Sequence, residues 1–183
     1  MKKKETTTPA NIASPATGSS PGSALPLGTE AKIPIIPGYG PGPKVGDLLV
    51  SLLEVIRGKE AAARIRDLGM QSEPPKTGFE YIIIRVKAEY VRSGRGPREQ
   101  PYKMTEGQFL AGSSDGGTEY QVFSLCKRPE EGLIGHTFSA GDSREGWLLF
   151  QVPKEEKKPL LIFRRENVEN VWGLWSDVWF QLS

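Results

Sequence analysis

The 183-residue chain carries 24 Lys and Arg against 22 Asp and Glu, a formal net charge of +2. That balance excludes the concentrated basic face that nucleic-acid binding needs, and no apolar run approaches the ~18 residues of a membrane helix. One Cys and one His exclude a disulfide framework and a Cys/His zinc cluster.

The first 43 residues hold eight Pro and six Gly among small polar residues. Such a composition buries too little apolar surface to offset chain entropy, which predicts a disordered tail or stalk over residues 1–43. The basic cluster Lys2–Lys4 resembles the start of a signal peptide, but no apolar core follows it. Two readings follow: a plain flexible tail, or a surface tether whose targeting segment would lie upstream. Ile33, Ile35 and Ile36, set among prolines, predict that the end of this stretch lies on the folded part.

From residue 44 to 183 the pattern is that of β-structure. Leu48–Arg57 is an apolar run bounded by Gly46 and Gly58, as a strand should be. Phe79–Val91 places Ile82, Ile84, Val86, Ala88 and Tyr90 on one face and Arg85, Lys87 and Glu89 on the other, a period of two. Between them, Glu60–Leu68 favours a short helix. Val91–Pro101, with three Arg, two Pro and two Gly, reads as a loop. Asp115-Gly116, between Gln108–Ala111 and Thr118–Phe123, predicts a tight turn, because both residues tolerate positive φ. Arg144–Val152, Leu160–Arg165 and Asp177–Leu182 complete seven or eight short strands, and these predict an all-β antiparallel sandwich.

The order of these elements resembles DUF4352, a bacterial family of immunoglobulin-like β-sandwich domains. Val45-Gly46-Asp47, Phe79–Val86, Phe109-Leu110 with Asp115-Gly116 and Tyr120, Ala140-Gly141-Asp142 with Gly146–Pro153, and Val178–Leu182 carry the resemblance. It spans residues 44–182. It implies an immunoglobulin-like fold and an extracellular or surface-anchored address, secreted or lipid-anchored behind a low-complexity stalk. It supplies no catalytic residue.

The residues offer little chemistry of their own. His136 reads as a solvated loop residue, because its neighbours Ser124, Cys126, Ser139 and Asp142 belong to no recognisable nucleophile motif. Cys126 beside Lys127 and Arg128 reads as an edge residue, and Glu130-Glu131 as a solvated turn. No ligand spacing for a metal and no phosphate-binding Gly loop occurs, so no cofactor and no metal is expected.

The tryptophans are the exception. Trp172, Trp175 and Trp179 fall within eight residues, just after Arg164 and Arg165. Buried, they would seal one end of the sandwich; exposed, their flat rings would form a platform. The expected contacts of a ligand or partner are therefore Trp172, Trp175, Arg164 and Arg165. The expected function is a non-catalytic cell-surface binding or adhesion module whose partner is a cell-wall or envelope protein or glycan. A structural spacer is the alternative, and a hydrolase the remaining one.

Overall fold

A computed structural model of the chain describes residues 17–35, 46–70, 72–92, 101–121, 132–164 and 177–183. Two four-stranded antiparallel sheets face one another. Sheet B runs β1 (Glu30–Ile35), β2 (Gly46–Arg57), β3 (Phe79–Arg92), β8 (Ser143–Pro153), and sheet A runs β10 (Val178–Gln181), β9 (Leu160–Phe163), β5 (Phe109–Gly112), β6 (Glu119–Gln121). Two-residue strands β4 (Tyr102–Lys103) and β7 (Thr137–Phe138) form a separate pair. The described residues thus carry ten strands where seven or eight were expected.

Alternation decides which side chains enter the core. Leu48, Val50 and Leu52 of β2, Ile82, Ile84, Val86 and Ala88 of β3, and Leu148, Phe150 and Val152 of β8 meet Phe109, Ala111, Leu161, Phe163 and Phe180 of sheet A in one buried cluster. Phe109 and Phe163 touch edge to face, with ring centroids 5.1 Å apart.

The expectation of one wet face on β3 holds only for its second half. The helix α1 (Gly58–Asp67) lies on the outer face of sheet B, where Ala61 and Ile65 bury Tyr81, Ile83 and Leu149. Helix-forming Ala61–Ala63 on a 3.6-residue period explains this second layer. Trp147, out of phase with Leu148 and Phe150, belongs to it too, with the Arg64 guanidinium 5.6 Å from its ring centre.

The boundary expected near residue 44 does not mark where the fold begins. Glu30–Ile35 pairs antiparallel with β2 along its whole length, and Leu25 bridges to Phe180 of β10. The Leu25 N–H donates to the Trp179 carbonyl at 2.8 Å, and the Gln181 N–H donates to the Leu25 carbonyl at 2.8 Å. Ala24, Leu25, Ala31 and Ile33 are buried. Residues 17–35 therefore close one side of the sandwich by covering an edge of each sheet. Average composition hid this. Pro34 is tolerated because it sits on an edge strand, where its missing N–H breaks no ladder.

The turn at Asp115-Gly116 forms as its residues predict. Gly116 has φ +74°, the Asp115 carboxylate accepts bonds from the Ser113 hydroxyl at 2.6 Å and the Gly117 N–H at 2.9 Å, and Gly112 pairs with Glu119.

One end of the sandwich is fastened by Arg57. Its guanidinium donates to Glu80 at 2.6 Å and to the Glu156 carbonyl at 2.8 Å, so it joins β2, β3 and the β8–β9 turn. Arg57→Met leaves the Glu80 carboxylate half-buried without its partner. A loss of about 2 kcal/mol is expected, read as a lower urea midpoint with unchanged slope. An unchanged midpoint would show that the fastening contributes nothing.

Candidate functional site

The two outer faces differ. That of sheet B carries α1 and a mixed charge array including Arg85–Glu145 at 2.5 Å. On that of sheet A, strand register sets Leu110, Ile162 and Trp179 side by side on β5, β9 and β10. Ile162 is fully buried, whereas Leu110 and Trp179 are half-buried.

Trp179 lies along this face. A Cβ on Gly116 would fall 3.4 Å from Trp179 Cη2 and 2.5 Å from Pro21 Cγ. Gly116 belongs to the β5–β6 turn, and β9 separates β10 from β5. An indole that starts on β10 and ends at that turn lies across β9 instead of standing out from it. Gly116, with its positive φ, leaves room for the ring edge and Pro21 together.

Arg164 crosses the same face. It donates to Glu119 at 2.5 and 3.1 Å and to Asp177 at 2.9 Å. Glu119 is on β6 and Asp177 precedes β10, the two edges of sheet A, so one guanidinium ties both edges together. Paired charge holds the Glu119 carboxyl below its ordinary value, chiefly through the Arg164 hydrogen bond, and holds the guanidinium proton more firmly than usual through Glu119 and Asp177. Arg164 was expected to reach for a ligand. Its fork is instead committed within the fold, because two carboxylates flank it.

A depressed carboxylate contributes stability above its unfolded-state pKa, and that stability is lost as pH falls through the lower folded value. For Glu119 it is fully present above about pH 5. Because the pair is well exposed, screening keeps it to about 1 kcal/mol or less. Glu119→Gln should therefore be less stable than the parent at pH 7 and equal to it in strong acid. A constant difference across denaturant titrations from pH 2 to 7 would contradict this.

Trp172, Trp175 and Arg165 lie outside the described residues. So do Cys126 and Glu130-Glu131. Trp179, placed in the closing strand from its sequence, is the tryptophan on this face among the described residues. The signal for it was positional: Val178, Phe180 and Leu182 are in phase, so residue 179 must point the other way.

A small cleft of about 190 Å³ is bordered by Pro21, Ser114, Lys158, Leu160, Gln181 and Ser183; it adjoins the Trp179 end of the face through Pro21, which meets the same Gly116 position as the indole edge. The Glu156 carboxylate ties two of the bordering residues together, accepting the Ser114 N–H at 3.3 Å and the Lys158 N–H at 3.1 Å. A second, more open cleft of about 530 Å³ at the start of α1 is lined by Leu27, Val55, Arg57, Lys59, Glu60 and Leu182 among others.

His136 is not the solvated residue expected. It is half-buried, its ring meets Phe138 edge-on at 4.7 Å, and Nε2 is 3.7 Å from the Asp142 carboxylate. The turn before β8 brings the two together: the Ser139 N–H donates to Asp142 at 2.8 Å, and the Tyr90 N–H donates to the Asp142 carbonyl. No nucleophilic side chain joins them among the described bonds, and no group of three or more His, Cys, Asp or Glu side chains converges among the described residues. No described helix is long and apolar enough to cross a membrane.

No protein-family model matches the chain, and no curated protein matches it at a significant level. Solved structures do. MPT63, a secreted protein from Mycobacterium tuberculosis, is 13% identical over 86% of this chain and 97% of its own, with a TM-score of 0.52. The yjhA protein from Bacillus subtilis is 14% identical over 87% and 99%, at 0.49. The ycdA protein from the same organism is 16% identical over 84% and 38%, at 0.48. The chain is an all-β sandwich, similar in fold to MPT63.

Proposed function

We propose that the chain is a non-catalytic, extracellular or surface-anchored bacterial module of the DUF4352 type that binds a partner from the cell wall or envelope through the outer face of sheet A. The observation that carries this reading is the half-buried Trp179 lying along that face, beside Leu110 and a fixed Arg164–Glu119–Asp177 cluster. Large aromatic side chains anchored by their surroundings are efficient binding groups, since little rotamer entropy is left to lose. The order of sequence motifs supports the family, and the fold shared with a secreted protein supports the address. Fold alone does not assign chemistry, so the binding face decides.

The experiment is retention of the purified chain on isolated cell-wall and envelope fractions. Retention that falls with Trp179→Ala is the expected result. Absence of retention on every fraction would favour a spacer domain instead.

A further inference from the structure

Resting on the reading above, we propose that Trp179 and the adjoining cleft bind one unit of a neutral, hydroxyl-rich saccharide. A sugar ring has an apolar face of C–H groups and a rim of hydroxyls, and this surface carries a counterpart to each. The indole of Trp179 lies along the sheet, with Pro21 at its far edge. Buried Leu160 continues the apolar floor into the cleft.

The polar groups at the cleft are those that hydroxyls satisfy. The Ser114 hydroxyl, the Lys158 ammonium and the Gln181 side-chain carbonyl are exposed and spend no side-chain bond among the described residues. Gln181 is held in place because its amide nitrogen donates to the Ala24 carbonyl at 3.1 Å. A donor, an acceptor and a group that is both suit hydroxyls, which donate and accept. Charge argues for a neutral partner. Lys158 is the charged side chain at the rim, and the Glu156 carboxylate, bonded to the backbone N–H groups of Ser114 and Lys158 just behind it, offsets that charge. An anion would gain from Lys158 and lose to Glu156. The cleft, about 190 Å³, is too small for a drug-sized ligand and of the scale of a single ring.

The site is shallow, so affinity per unit is low, and repeated units along a polymer would raise it by avidity. Short soluble oligomers of hexose and of N-acetylhexosamine, and their carboxylated and phosphorylated counterparts, are the probes. Binding is followed by NMR of the indole N–H resonances and by calorimetry. The expected result is that neutral oligomers shift the Trp179 signal, with an affinity little changed by salt. Trp179→Ala should weaken binding on the order of tenfold. Ser114→Tyr, an exposed change that fills the cleft without touching the core, should weaken it similarly. Trp147→Phe, on the opposite sheet, should leave it unchanged. Binding of charged oligomers alone, abolished by salt, would overturn the neutral assignment. If no oligomer binds while envelope fractions still retain the chain through Trp179, the saccharide is wrong and the binding face stands. If neither occurs, both fall.

Discussion

A chain that begins at Lys44 is expected not to fold cooperatively. Removing residues 17–35 strips β1 from β2 and Leu25 from β10. It also removes the buried side chains of Leu25 and Ile33, with Ala24 and Ala31. Burying a Leu or Ile is worth roughly 1.5–3 kcal/mol each, and core residues they covered, such as Leu48 and Val50, would meet water as well. The combined loss reaches about 5 kcal/mol, the lower end of what holds a whole domain together. Two edges would also be left open to pairing between molecules. A chain starting at Thr17 is the control and should melt like the full sequence. Circular dichroism melts compare the three; a sharp, parent-like transition in the Lys44 chain would mean that the N-terminal segment is an accessory.

The second large effect is expected at Gly146 on the edge strand β8, which pairs with Val86 of β3. A Cβ there would stand 2.5 Å from Leu133 Cβ and 2.8 Å from Leu133 N. Leu133 is itself buried in the core and its segment is tethered nearby, where the Gly135 N–H donates to the Met104 carbonyl at 2.8 Å. Backbone cannot yield as a flexible side-chain tip does, so Gly146→Val forces β8 and the segment around Leu133 apart. Overpacking of this kind costs about 3 kcal/mol. Chemical denaturation should show the loss. If Gly146→Val is as stable as the parent, the close approach has been accommodated and the motif around Trp147 has no such constraint.

The remaining contrast is between local and distant information. Period-two alternation in Phe79–Val91 and Arg144–Val152, the Asp115-Gly116 turn and the helix-favouring run after Gly58 were legible because each depends on neighbours within a few residues. Alternation also fixed that Trp179 points away from Phe180. The same local rules placed Ile33 and Ile35 on the folded part but misjudged the residues before them, from 17 to 32. Proline and glycine lower the intrinsic tendency to form a strand, yet Ala31 and Ile33 gain enough from an existing edge to be held there. No count of residues along the segment contains that edge.

The site shows the same division. The sequence placed tryptophan and arginine near one another late in the chain. Only the fold set Glu119 and Asp177 on opposite edges of sheet A, so that Arg164 became an internal tie instead of a free arm. It likewise brought His136 to Asp142 through a turn anchored on Tyr90, and laid the ring of Trp179 over β9 beside Pro21, 158 positions earlier in the chain. Charge, period and turn chemistry act over a few residues and are written in the chain. Which unpaired groups meet across a sheet depends on register and strand order, and these are decided only when the whole sandwich closes.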